Sequence, residues 1–238
     1  MRKLVLAAAM VAIGFASAAN AADMPTKAPI YKARPAVVAP YNWTGFYLGV
    51  NGGYGWGQTT GDILPTFFGG NYDINGGLFG GQIGFNYQLP ASPLVLGIEA
   101  DWDWADIKGS QTVTLLRLPV TDSVKVENLG TVRGRIGYAW DRFLVYGTGG
   151  WAWSSRVSAF CSSCTPTDDS HSLNGYTVGG GVEYGFTPNL SVKAEYLYAH
   201  LDPVDFFQNA GCTVNCSIGA NVNVVRLGLN WRFTGLPF

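Results

Sequence analysis

The stretch Val224-Val225-Arg226-Leu227-Gly228-Leu229-Asn230-Trp231-Arg232-Phe233 decides how the whole chain is read. A β-strand sends successive side chains to opposite faces. One face is then Val225, Leu227, Leu229, Trp231 and Phe233, and the other is Val224, Arg226, Gly228, Asn230 and Arg232. A half-buried soluble sheet shows the same alternation, so the residue types must separate the cases. The apolar face ends in aromatics and the polar face carries two arginines. Arginine is rarely buried in a sheet core but is at home in a polar lumen. An apolar outside, a polar inside and aromatic rims mark a transmembrane β-barrel strand.

Working outward, seven further stretches read as partners for this one. They cover about 44–56, 77–89, 94–105, 123–140, 143–155, 174–186 and 190–201. In 94–105 the division is sharpest: Leu94, Leu96, Ile98, Ala100, Trp102 and Trp104 on one side, Glu99, Asp101 and Asp103 on the other. Three carboxylates on one strand face require water or counter-charges. In 143–155 two phases compete, and a bulge near Gly149-Gly150 is one way to reconcile them. Three connections (90–93, 141–142, 187–189) are tight. Four (57–74, 107–121, 156–173, 202–220) read as long polar loops. The expectation is an all-β fold: an eight-stranded antiparallel transmembrane barrel with short periplasmic turns and long external loops. An outward aromatic girdle is expected at Trp56, Trp102, Trp104, Trp140, Tyr184, Trp231 and Phe233.

Composition agrees. Thirty-two glycines without a Gly-X-Y period exclude collagen and disfavour long helices. Arg2-Lys3, the apolar run Leu4 to Phe15 and Ala19-Asn20-Ala21 read as a secretory signal peptide, 1–21, cut near Ala21. Residues 22–42, with four prolines, read as a periplasmic lead-in, and 43–238 as the barrel. Subtracting Arg2 and Lys3 from 15 basic residues leaves 13 against 16 acidic, a net of −3. That balance leaves no strong basic patch and argues against a nucleic-acid partner. An exported chain with no other apolar stretch long enough for a helix enters a membrane only as a closed barrel.

The inward faces collect the acids Glu99, Asp101, Asp103, Glu183 and Glu195 and the bases Arg133, Arg135, Lys193, Arg226 and Arg232. An eight-stranded lumen is just wide enough for side chains to fill it. A network of ion pairs closing the barrel is expected, with a narrow conducting path as the alternative. Cys161, Cys164, Cys212 and Cys216 fall in two external loops of an exported protein, which favours disulfides over a zinc site and leaves three pairings open. His171 (beside Asp168, Asp169 and Ser170) and His200 (near Asp202 and Asp205) admit a rim triad only weakly, because no nucleophile motif accompanies them. The Gly-rich runs open no helix and are not phosphate loops. No catalytic residue, cofactor or metal site is assigned.

Tyr41-Asn42-Trp43-Thr44-Gly45-Phe46-Tyr47-Leu48-Gly49, Leu144-Val145-Tyr146-Gly147-Thr148-Gly149-Gly150 and the closing strand resemble the alphaproteobacterial outer-membrane β-barrel proteins related to the Brucella 25 and 31 kDa outer-membrane proteins. The resemblance implies an OmpA-like membrane domain in the cell outer membrane, with a role in envelope integrity and surface contact. Porin-like activity and haemin binding are attributed to some members. Expected partners are outer-membrane lipid and lipopolysaccharide, the assembly machinery through the C-terminal strand, and an external ligand or host surface. In this chain five residues follow Phe233, so either Phe233 or Phe238 serves as the assembly signal.

Overall fold

In the computed structural model, residues 41–60, 72–115, 118–161, 168–206 and 216–233 are described. The expected signal peptide, the lead-in up to residue 40, Cys164, Cys212 and Phe238 lie outside them. Alternating apolar and polar residues become eight strands: β1 (Gly45–Thr60), β2 (Asp73–Gln88), β3 (Leu94–Leu115), β4 (Leu118–Trp140), β5 (Phe143–Cys161), β6 (Asp168–Gly185), β7 (Leu190–Phe206) and β8 (Cys216–Phe233). They close in sequence order into one antiparallel barrel. The stretch read first pairs on both sides, Leu229 opposite Val192 of β7 and Val50 of β1. Closure leaves no edge strand with unpaired backbone groups, the condition for crossing lipid.

One end carries the three tight turns. Leu89 N–H donates to Leu94 O at 2.9 Å, and Phe186 N–H to Leu190 O at 2.9 Å. In the Trp140–Phe143 turn, Asp141 takes a φ of 50°, a left-handed conformation that Asp tolerates better than most residues. At the other end the strands run further than the alternation indicated. Residues 107–121, read as a long loop, are mostly the paired arms of a β3–β4 hairpin, in register from Ile107↔Val126 to Leu115↔Leu118. The loops read at 57–74, 156–173 and 202–220 shorten in the same way, because β1, β5, β6, β7 and β8 all extend into them. The polar outward residues there looked like loop but belong to strands standing in water.

Strand five has one phase through Gly149-Gly150. Leu144, Tyr146 and Ala152 point in, while Phe143, Val145 and Trp151 point out, and its pairing with β4 and β6 is unbroken there. The irregularity lies further on, between Ser154 and Val157. Two others fall between Trp104 and Ile107 of β3 and between Leu201 and Val204 of β7.

The sidedness of the wall changes along the barrel. In the turn-end half the outward residues are Leu48, Ile83, Ile98, Val132, Ile136 and Leu227. Near the loop end Asp73, Asp106, Lys108, Arg156, Ser172 and Asp202 face out. There Ile74, Ile107, Val126, Val157, Leu173 and Leu201 are buried inside. The barrel interior therefore has two layers, charged towards the turns and apolar towards the loops.

Candidate functional site

The charged layer begins with register. Glu99 lies opposite Arg133, Glu195 opposite Arg226 and Glu183 opposite Lys193. The first two become ion pairs in register, while Lys193 turns to Glu99 and Glu195. Long side chains then reach further. Arg133 contacts Glu99 at 2.5 Å, Asp101 at 2.8 Å and Glu195 at 3.0 Å. Arg226 contacts Asp103 at 2.7 Å, Glu195 at 2.8 Å and Asp101 at 3.0 Å. Lys193 Nζ reaches Glu99 at 2.7 Å, although β7 and β3 are opposite walls of an eight-stranded barrel. Arg135 pairs with Glu183 at 2.9 Å. Nine of the ten charges read from the sequence thus form one network, all of it buried.

Arg232 is the exception. It is buried at the turn end, where its guanidinium donates to Asn42 O at 2.5 Å and to the Tyr41 hydroxyl. It lies 4.5 Å from the centre of the Tyr41 ring and 4.9 Å from that of Trp43. Its strand phase is inward as read, but it lies two residues past Asn230, a partner of Glu183, and meets the chain entering β1 instead of a carboxylate. That entry segment forms the floor of the barrel. Trp43 is fully buried, and its Nε1 donates to Asp141 O at 3.0 Å. Residues 41–42, read as part of the lead-in, belong structurally to this floor.

Sequence reading passed over the neutral residues that complete the network. Tyr47 donates to Glu99 at 2.6 Å. Tyr146 donates to Glu195 at 3.0 Å, and its ring lies 3.9 Å from the Arg135 guanidinium carbon. Thr131 donates to Asp101 at 2.7 Å and Ser191 to Glu183 at 2.6 Å. Each tyrosine lies over a glycine of the next strand, Tyr47 over Gly84 and Tyr146 over Gly181, where a Cβ would strike the phenol. Tyrosine–glycine pairs at equal depth were the available signal, and they become visible only with the register in hand. Asp103 is the charge nearest the apolar layer, opposite buried Leu129, and among the described residues one of its carboxylate oxygens has no hydrogen-bond partner.

The seven girdle residues all face outward, from Trp102 at 37% exposed to Trp140 at 57%. Trp56, Trp102 and Trp104 ring the loop side; Trp140, Tyr184, Trp231 and Phe233 ring the turn side. The spacing of the two rims frames the apolar band. Cys161 ends β5 opposite Asp122, and Cys216 opens β8 opposite Phe206; the disulfide expectation rests on residues outside those described. His200 Nδ1 is 2.5 Å from Asn221 Oδ1 and its Nε2 is 3.4 Å from Asp202. His171 Nε2 is 3.1 Å from Asp169. Their partners are an amide and two carboxylates. Beyond the girdle, hydrogen bonds from Lys108 and then Lys125 hold the exposed Asp106 carboxyl below its ordinary range.

The model of the outer membrane protein beta-barrel domain family matches residues 6–233. The chain belongs to this outer-membrane β-barrel family. It is 35% identical to the 31 kDa outer-membrane immunogenic protein of Brucella melitensis, over 98% of this chain and 100% of that protein. It is 34% identical to the 22 kDa outer membrane protein of Rhizobium leguminosarum bv. viciae, over 84% and 83%. The 25 kDa outer-membrane immunogenic protein of Brucella abortus is 28% identical over 98% and 99%. Among solved structures, OprG of Pseudomonas aeruginosa matches at 12% identity and a TM-score of 0.44, covering 83% of this chain and 100% of that one. Ail of Yersinia pestis matches at 16% and 0.43, covering 80% and 99%. The resemblance read from the opening and closing segments holds, and this outer-membrane barrel resides in the outer membrane. Short turns face the periplasm in such barrels, which places the apolar layer and the β3–β4 hairpin on the external side.

Proposed function

We propose that this outer-membrane barrel is a sealed envelope protein, neither channel nor enzyme, whose external strand ends meet the surroundings. The observation that carries this reading is the ion pair across the bore. Lys193 and Glu99 bridge opposite walls at 2.7 Å, and Arg133 and Arg226 tie β3, β4, β7 and β8 around the same point. A second barrier stacks above it, since the apolar layer fills the bore mainly with hydrocarbon, where an ion would lose its hydration. Floor, charged layer and apolar layer follow one another along the axis.

Planar-bilayer conductance of the protein isolated from outer membranes tests this, with heat-modifiable migration on gels as the check of folding. Silence from folded protein is expected. Reproducible steps that change with Arg133→Gln or Asp101→Asn would establish a conducting lumen in its place.

A further inference from the structure

The external face of β3–β5 differs from the rest of the circumference. Trp102, Gly130 and Trp153 lie in one row across the three strands. The two indoles approach to 6.2 Å between ring centres, and Trp151 follows at 5.0 Å from Trp153. Gly130 makes the row possible, because a Cβ there would come within 2.5 Å of the Trp153 ring. The result is an indole shelf at the level of the girdle, with Trp153 seated over Gly130.

Below the shelf, on the lipid-facing side, Gly134 and Gly149 are register partners. A Cβ at either would meet nothing among the described residues closer than 3.6 Å. Glycine in a strand interior costs stability, and no contact within the barrel requires it here. The pair leaves a shallow trough below the shelf, with Val132 and Trp151 in the outward row between.

Above the shelf stand Lys108, Lys125 and Arg156, with side chains 66%, 45% and 65% exposed. Among the described residues they are the lysines and arginines facing out beyond the girdle. At the same height the other strands present Gln58, Asp73, Asn174, Asp202 and Asn221. Lys108 lies directly opposite Lys125, an unfavourable like-charge pair that Asp106 relieves at 3.1 and 3.4 Å. Arg156 pairs with Glu127 at 3.5 Å. Three cations face two carboxylates in exposed pairs, which are weak and exchange readily.

Trough, shelf and cationic rim match, in order, acyl chain, sugar and phosphate. We propose that this face is a seat for a phosphorylated, acylated glycolipid of the outer leaflet. Indoles belong at the boundary of hydrocarbon and headgroup, and ammonium and guanidinium groups bind phosphate by charge-assisted hydrogen bonds. The inference rests on the outer-membrane location and holds whether or not the lumen conducts.

The test uses protein isolated from outer membranes, returned to phosphatidylcholine nanodiscs with graded bis-phosphorylated lipid A, and native mass spectrometry of retained lipid. Lys108→Gln/Lys125→Gln/Arg156→Gln is expected to weaken retention at least about tenfold, and removal of both phosphates from the lipid to do the same. Trp153→Leu should weaken it by a smaller factor. Arg142→Gln, at the periplasmic end, should leave it unchanged. Lys125→Gln alone serves if the triple variant fails to show heat-modifiable folding, with a several-fold loss expected. Retention within twofold of the original in the cation variants, equal loss with Arg142→Gln, or full displacement of the lipid by inorganic phosphate would each overturn the assignment, the last by showing a simple anion site.

Discussion

The two halves of the barrel interior obey one rule in two solvents. In the membrane half the wall must be apolar outside, so polarity goes inward and is neutralised by pairing: Glu99, Asp101 and Glu195 meet Arg133, Arg226 and Lys193. In the external half the wall stands in water, so polarity goes outward and Ile107, Val157 and Leu201 form an ordinary apolar core. β3 keeps its inside–outside alternation through the change, although its register against β4 shifts between Trp104 and Ile107. Its inward series Glu99, Asp101, Asp103, Ala105, Ile107 switches type as its outward series Ile98, Trp102, Trp104, Asp106, Lys108 switches oppositely. β5 and β7 make it with irregularities at Ser154/Val157 and Leu201/Val204. The solvent outside sets what the inside must be.

The comparison breaks most readily in the charged layer. Arg226→Leu strands Asp101, Asp103 and Glu195 with too few counter-charges, and a loss of about 3–5 kcal/mol is expected, measured by urea unfolding in bilayers. If the external half is a true core, Leu201→Ala should cost about 2–5 kcal/mol by the same assay. A cost near zero would mean that this layer is hydrated and the two halves are alike. Packing inside the charged layer is probed by Gly84→Ala, which displaces the Tyr47 phenol and should cost about 1–3 kcal/mol. Its outward counterpart Gly147→Ala meets nothing closer than 4.0 Å and should be neutral or stabilise by up to about 1 kcal/mol. The smallest effect belongs to Asp106→Asn on the wetted outer face, where no measurable change in unfolding midpoint is expected. A clear shift would mean that the external ion pairs hold the β3–β4 hairpin together.

Much of the architecture was legible without coordinates. Period-two alternation gave eight strands, the tight turns at 90–93, 141–142 and 187–189 gave their order, and the inward phase of all ten charges follows from the same period. The extent of the strands was not legible. Once the outside becomes water, as at Asp106–Lys108 or Ser170–Ser172, outward residues look like loop and the inward apolar ones look like lipid-facing wall. Nor was the fate of Arg232, whose neighbours Tyr41 and Trp43 come from the far end of the chain.

By itself, then, the sequence determined that this is a closed eight-stranded barrel with its charges inside and its aromatics at the rims, because side-chain alternation is a local property of extended backbone. Which charge meets which, that β3 and β7 join across the bore, that tyrosines lie on glycines and that the external half holds an apolar core were decided only by the tertiary structure. Those facts depend on register and on closure of the sheet, which bring together residues such as Asp101 and Arg226, 125 positions apart.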